Sequence, residues 1–325
     1  MKEINIAILG FGVVANGVKK ILDENYNIIN KRLKRITGED YSIKIKKILI
    51  RDIGKYHSNL QGIMTEDIGN ILEDKEIDIV CELIGGDTVS VDYIKKAMEN
   101  NKHIVTANKM ALFTKNEELF KIASDNDVCL KYEAAVAGAI PIIKVAEESL
   151  ISDEIEEVQG IFNGSTNYIL SKIEEGLNYH EAMELAYNKG YLEADPSSDI
   201  QGYDSMYKLG ILGNLIYGEF PKAKDIERIG IDKISKWDIE YANKNSKKIK
   251  LIGRIKNKDN AISYSVKPEI VDMENPLYNI DGALNGILLK CKNAGDIFLS
   301  GPGAGSRETA VSVIGDIVSI VREGY

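Results

Sequence analysis

Ile4-Asn5-Ile6-Ala7-Ile8-Leu9-Gly10-Phe11-Gly12-Val13-Val14-Ala15 runs from an apolar stretch of strand length straight into a glycine-rich turn. Beyond the turn, Val14, Val18, Ile21 and Leu22 recur at helical spacing, so the segment predicts a strand, a tight loop and an amphipathic helix in register. Glycines at that turn let the backbone N–H groups of the loop and helix start approach a pyrophosphate, which the helix dipole also favours. Ala15 stands third in the Gly-x-Gly-x-x-Gly/Ala pattern, where alanine is an accepted variant. Gly10, Phe11, Gly12, Val13 and Val14 are therefore the expected contacts of a dinucleotide.

The same grammar continues outward. Strand-like runs recur at Ile43 to Ile50, Ile77 to Ile84, His103 to Thr106 and Val128 to Tyr132. Helical patterns fall between the later ones, at Val91, Ile94, Ala97 and Met98 and at Leu119, Phe120, Ile122 and Ala123. Apolar strands alternating with amphipathic helices predict a parallel sheet covered on both faces, an α/β doubly wound domain of the Rossmann type over residues 1–133. After Tyr132 the pattern changes to α+β. It predicts helices from Pro141 to Glu148, Asn167 to Glu175, Tyr179 to Lys189 and Ile200 to Tyr217, and strands at Glu156 to Phe162, Ile249 to Lys256 and Ile262 to Val266. Residues 134–305 form this second domain, and an apolar closing helix in 306–325, carrying Ala310, Val313, Ile314, Ile317 and Val321, is expected to pack back on the first.

In open α/β sheets ligands gather at the C-terminal strand ends. The second strand ends near Ile50, followed by Arg51, Asp52 and Lys55. An acid there suits the ribose 2'-hydroxyl of NAD, whereas Arg and Lys suit the 2'-phosphate of NADP, so both cofactors stay open with a lean to NADP. Gly85 and Thr88, in Ile84-Gly-Gly-Asp-Thr88, and Lys109, in Thr106-Ala-Asn-Lys109, stand at later strand ends, with Lys109 toward the expected nicotinamide side.

A net charge of -9 and the lack of a basic, aromatic-interleaved stripe exclude a nucleic-acid partner from expectation. The Lys-rich spots Lys44 to Lys47 and Lys244 to Lys250 read as solvated faces. The 44% hydrophobic and 28% charged content is that of a globular protein of about two domains. The start Met-Lys-Glu-Ile-Asn-Ile lacks a signal peptide's apolar core, and no run reaches the roughly 18 apolar residues of a membrane span, so no membrane association and a cytoplasmic location are expected. Cys81, Cys129 and Cys291 are odd in number and far apart, which predicts reduced thiols and no zinc site, with Cys81 and Cys129 in the core. His57, His103 and His180 form no recognisable catalytic pattern.

The richest chemistry lies in Glu193-Ala-Asp-Pro-Ser-Ser-Asp-Ile-Gln-Gly-Tyr-Asp-Ser-Met-Tyr-Lys208, which sets four carboxylates and one ammonium at a helix start. Lys208 is the only charged residue from Ser205 to Gly218, on a segment apolar on nearly every side. A lysine in such a helix must find a partner, and Asp204 stands at i,i+4 spacing on the same face. Glu133-Ala-Ala-Val136-Ala-Gly138-Ala-Ile140-Pro141 joins the two halves and allows close backbone approach around one carboxylate.

In order, Thr106-Ala-Asn-Lys109, Asn163-Gly-Ser-Thr-Asn-Tyr-Ile-Leu170, Glu193-Ala-Asp-Pro-x-x-Asp-x-x-Gly-x-Asp-x-x-x-Lys208 and Gly301-Pro-Gly-Ala-Gly305 resemble homoserine dehydrogenase along essentially the whole chain. The resemblance implies reversible NAD(P)-dependent reduction of L-aspartate 4-semialdehyde to L-homoserine, on the route to threonine, methionine and isoleucine. It implies Lys208 as acid/base, Glu193, Asp204 and Gly164 in the substrate site, Lys109 facing the reacting carbonyl, and Gly303 at the cofactor. It further implies a sodium ion held by Glu133 and the carbonyls of Val136, Gly138 and Ile140, and a homodimer built through the second half. Hard oxygen ligands suit such a cation. The chain departs from the family at Ser306-Arg307-Glu308, where small residues or proline are usual. It also stops at Tyr325 with no room for the regulatory ACT domain of many bacterial members, so threonine feedback through one is not expected.

The residues support the same chemistry independently. A substrate carrying a free ammonium needs an acidic pocket, which Glu193 with Asp199 or Asp204 supplies, while Lys208 or Lys109 handles the proton. Two rivals are an aspartate-semialdehyde dehydrogenase, which needs a reactive cysteine in an exposed loop or helix start, and a noncatalytic NAD(P)-binding sensor, which would have lost the lysines and the acidic cluster.

Overall fold

Six strands in the order β3-β2-β1-β4-β5-β6 form the first sheet, and every pairing is parallel. They are β1 (Lys2–Leu9), β2 (Tyr41–Leu49), β3 (Met64–Thr65), β4 (Ile79–Glu82), β5 (His103–Thr106) and β6 (Leu130–Lys131). The computed structural model describes residues 2–56, 60–259 and 261–324; His57 falls outside them. Chain order runs outward from β1 to β3, then returns beside β1 and runs outward the other way, so the direction reverses between β1 and β4. At such a switch point the loops after two neighbouring strands diverge and leave a crevice. Ile4, Ile6 and Ile8 of β1 pack in one core with Val18, Ile21 and Leu22 of helix Val13–Glu24 and Val313, Ile317 and Ile320 of helix Ser306–Glu323. Gly17 lets these two helices touch, since a Cβ there would overlap the Ser306 carbonyl.

The second sheet is mixed, in the order β12-β11-β7-β9-β10-β8. Its strands are β7 (Ile155–Ile161), β8 (Ile226–Arg228), β9 (Lys248–Lys258), β10 (Ala261–Val271), β11 (Leu284–Cys291) and β12 (Gly295–Pro302), with only β8 and β10 parallel. Helices Gly164–Glu174 and Tyr203–Tyr217 belong to this half. The two compact units are Met1–Ala139 with Gly305–Tyr325, and Ile140–Ala304. Residues 134–139 thus sit with the first unit, past the boundary expected at Glu133, because the Glu133 N–H donates to Asp316 Oδ2 (2.8 Å) and Ser312 Oγ donates to the Gly138 carbonyl (2.7 Å).

Several expectations need correction. The helix predicted from Ile200 to Tyr217 is broken: Gly202, at φ 81, ends a short turn Ser197–Ile200, and the long helix begins at Tyr203. The helix predicted over Pro141 to Glu148 tightens to Ile142–Lys144 and continues as a wider π turn, Val145–Ser149. Lys250 does not lie on a solvated face. Only 1% exposed, it donates to Asp281 Oδ1, the Ile280 carbonyl and Asn167 Oδ1, because strand alternation on β9 turns it inward. Cys129, just before β6, is half-buried and packs against the margin of the first core. Helix Tyr26–Thr37 and the β11–β12 hairpin had no counterpart in the sequence reading. Among the described residues no helix is long and apolar enough to cross a membrane.

Candidate active site

The first unit carries a crevice at the switch point. It is lined by Gly10, Phe11, Gly12, Arg51, Gly85 and Thr88 among the expected cofactor residues, with Asp52 and Lys55 beside them. Gly10 sits at φ 88, a left-handed conformation that costs glycine little. Gly12 caps helix Val13–Glu24 without any side-chain hydrogen bond, and a Cβ on it would meet nothing within 4 Å. The first N–H groups of that helix therefore have no side-chain acceptor and open space before them, which fits a pyrophosphate. Val13 is exposed and Val14 part-buried on the helix's first turn; neither lines the crevice. Asp52 is committed locally, with Oδ1 accepting from the Gly54 N–H at 2.9 Å and Oδ2 lying 3.8 Å from Lys55 Nζ, while Arg51 is exposed.

A buried carboxylate that sequence reasoning missed organises the neighbouring loops. Glu82 Oε1 accepts the N–H groups of Ile84 and Gly85, both at 2.9 Å, and Oε2 accepts the Thr106 hydroxyl at 2.7 Å. Asn108 Nδ2 donates to the Gly86 carbonyl at 2.6 Å, and Asn108 Oδ1 caps helix Lys109–Thr114 through the Ala111 N–H. Lys109 is thereby held at the first position of that helix, outside the lining of the crevice.

In the second unit the i,i+4 pair forms as its spacing predicts. Lys208 Nζ lies 2.7 Å from Asp204 Oδ2 and donates also to the Phe162 carbonyl at 2.7 Å, with the two side chains 11% and 6% exposed. Asn163 binds the cluster together: its Oδ1 caps helix Gly164–Glu174 through the Thr166 N–H, and its Nδ2 donates to Asp199 Oδ1 (2.7 Å) and Asp204 Oδ2 (2.9 Å). Asn163 thus joins two carboxylates, Asp199 and Asp204, the second of them paired with Lys208. Glu193 is exposed and outside this hydrogen-bonded cluster, and Asp195 is spent on the Ser197 N–H and hydroxyl. Gly164 answers a packing need, since a Cβ there would stand 2.5 Å from the Ala283 carbonyl oxygen. Gly303, expected at the cofactor, belongs to this unit, and a Cβ on it would overlap the Asn285 amide. Asn163 opens one of the motifs that carry the resemblance, which implies no role for it; its contact with Asp199 spans 36 positions.

The residues implied for sodium are Glu133 (2% exposed), Val136, Gly138 and Ile140, all buried. Ala137 at φ 56 and Gly138 at φ 59 turn the backbone sharply between them. One buried carboxylate with main-chain carbonyls is a hard-oxygen donor set, which fits such an ion. The thiols of Cys81, Cys129 and Cys291 are all pushed up by burial, the opposite of what a nucleophilic cysteine requires.

A crevice suited to a dinucleotide in one unit and a buried lysine held by carboxylates in the other are the parts expected of a nicotinamide-dependent oxidoreductase. Comparison with known proteins agrees. A family model described as "Homoserine dehydrogenase, NAD binding domain" matches residues 10–133, and one described as "Homoserine dehydrogenase" matches residues 141–318. The homoserine dehydrogenase of Neisseria gonorrhoeae is 35% identical over 323 residues, covering 99% of this chain and 73% of that protein. The crystal structure of a homoserine dehydrogenase from Thiobacillus denitrificans superposes with a TM-score of 0.93 at 34% identity, over 99% of this chain and 74% of that one. A hyperthermophilic archaeal homoserine dehydrogenase in complex with NADPH gives 0.82 at 28% identity, covering 99% of each chain. The chain belongs to the homoserine dehydrogenase family. Membership makes it an NAD(P)-dependent oxidoreductase of amino-acid biosynthesis, and the aspartate-semialdehyde dehydrogenase and sensor readings fall away.

Proposed function

We propose that Lys208 is the acid–base of the interconversion of L-aspartate 4-semialdehyde and L-homoserine, and that Asp199 and Asp204 receive the substrate ammonium. The observation that carries this reading is the buried ammonium of Lys208 held at 2.7 Å by both Asp204 and the Phe162 carbonyl, beside a second carboxylate that Asn163 ties in. In the reducing direction Lys208 Nζ gives a proton to the substrate carbonyl oxygen as the C=O double bond becomes a C–O single bond. In the oxidising direction neutral Lys208 takes the hydroxyl proton. When bound, the nicotinamide supplies or accepts the hydride at the same carbon. Asp204 orients Lys208, and Asn163 keeps the two aspartates at a fixed separation for the ammonium. Glu193, on the exposed stretch before the turn, serves as an outer carboxylate for the same cation, and Lys109 serves the carbonyl end of the substrate.

Gly10, Gly12 and the start of helix Val13–Glu24 hold the pyrophosphate, with Gly85 and Thr88 along the crevice. With Asp52 engaged by Gly54 and Lys55, Arg51 is the group left to meet a 2'-phosphate, which supports NADP over NAD. Sodium at Glu133, Val136, Gly138 and Ile140 is a structural cation, and the second unit is the homodimer interface of a cytoplasmic enzyme. The open edges of the second sheet, β8 and β12, are compatible with that assembly.

The deciding assay follows reduced cofactor formed from NADP or NAD at alkaline pH, with and without L-homoserine. Homoserine-dependent reduction, faster with NADP, is expected. No turnover with either cofactor would overturn the reading.

A further inference from the structure

Asn285 lies on β11, wholly buried, paired across the hairpin with Gly301. Its Nδ2 donates to the Phe162 carbonyl at 3.1 Å, the same oxygen that accepts Lys208 Nζ at 2.7 Å. Its Oδ1 is buried and has no hydrogen-bond partner among the described residues. A buried amide with an orphan oxygen costs stability, so packing alone would favour an apolar side chain of similar size here. What an apolar side chain could not do is donate to the Phe162 carbonyl.

The surroundings make that bond possible. A Cβ on Gly303 would overlap the Asn285 amide, so bare backbone at residue 303 leaves the amide its place. The Phe162 ring lies over the cross-strand pair Gly160 and Gly253, where Cβ atoms would stand 2.6 and 2.8 Å from ring carbons. The side chain of Phe162 is thus seated by two glycines, and its carbonyl accepts from Asn285 Nδ2. A carbonyl oxygen has two lone pairs; with one taken by Asn285, the other is aimed at Nζ.

We propose that Asn285 is a positioning residue for the Lys208 ammonium, acting through the shared Phe162 carbonyl, with Gly303 as its steric condition. The proposal rests on the reading of Lys208 as acid–base. Without Asn285 the Phe162 carbonyl loses its second donor, and Nζ loses the fixed direction of one of its acceptors.

The test compares steady-state homoserine oxidation, as a function of pH, in Asn285→Ala, Asn285→Asp, Gly303→Ala and the double variant Asn285→Ala/Gly303→Ala, with Lys208→Ala as reference. Losing one net hydrogen bond that positions the proton carrier should lower kcat about tenfold. Cofactor KM should stay unchanged, and the pH limb of kcat assigned to Lys208 should move. Gly303→Ala should match Asn285→Ala by displacing the amide, and the double variant should be no slower than either single one, since both act through the same space. Asn285→Asp keeps the volume, loses the donor and adds a carboxylate near Nζ, so it should lower kcat and move the limb to higher pH; it carries the test if the alanine variant does not fold. Wild-type kcat and pH profile in the Asn285 variants, with Lys208→Ala inactive, would overturn this proposal alone. Additive losses in the double variant would also overturn it. Near-normal turnover in Lys208→Ala would overturn the underlying reading instead.

Discussion

Replacing Lys208 by alanine separates chemistry from binding. The ammonium is held at 2.7 Å by Asp204 Oδ2 and at 2.7 Å by the Phe162 carbonyl, with its side chain 11% exposed. A positioned general acid–base contributes roughly 10²- to 10⁴-fold. At about 1.36 kcal/mol per decade that is some 3–5 kcal/mol of transition-state stabilisation, and kcat should fall by that factor. The same change breaks a buried ion pair, which costs about 3–5 kcal/mol of stability when one partner is removed. Lys208→Ala and the charge-balanced Lys208→Met/Asp204→Asn must therefore be compared, with folding followed by urea denaturation. The double variant should recover most of the stability and none of the activity. Initial rates are read from the absorbance of reduced cofactor, and NADPH affinity from fluorescence titration, which should change less than threefold because Gly10, Gly12, Arg51, Gly85 and Thr88, which line the cofactor crevice, lie in the other unit. A folded Lys208→Ala with near-normal kcat, or one that loses NADPH affinity in proportion to rate, would refute the reasoning.

Other outcomes follow from the same geometry. Glu82→Ala removes the acceptor of the Ile84 and Gly85 N–H groups and of the Thr106 hydroxyl, so NADP KM should rise about tenfold while homoserine KM changes little. Gly17→Ala drives a methyl group into the Ser306 carbonyl and should destabilise the first unit by about 1–3 kcal/mol in urea titrations. Glu157 bears on acid stability: burial by itself would raise its carboxyl, but Arg254 and Lys290 outweigh burial and hold it below the usual value. The unfolded chain then binds the extra proton, so the stabilisation is present above about pH 4.5 and is lost as pH falls from there through the folded value. Denaturation from pH 3 to pH 7 should show a shallower acid limb in Glu157→Gln than in the wild type, and identical limbs would count against the pairing.

Much of the molecule was legible where the signal is local. The strand, turn and helix of Ile4–Ala15 are periodic and contiguous, and Asp204 and Lys208 meet because i,i+4 spacing sets them on one helical face. Helix Tyr26–Thr37 was not legible because it buries only Leu33 and so leaves almost no apolar stripe. The break at Gly202 was missed because the apolar pattern runs on past Ile200, whereas the backbone turns left-handed before Tyr203. Lys250 looked like one more surface lysine, since nothing near it in sequence announces Asp281 across the fold.

Sequence periodicity and motif order were sufficient for two halves, a dinucleotide turn, a lysine–aspartate pair and a family. Tertiary structure alone joined Asn163 to Asp199 over 36 positions and Asn285 to Phe162 over 123. It also showed that Gly164 and Gly303 are required for close backbone and amide contact. The physical reason is that periodicity records only which face of an element avoids water. A buried hydrogen bond between distant elements depends on where the packed sheets and helices bring a donor to an acceptor, and that leaves no pattern along the chain.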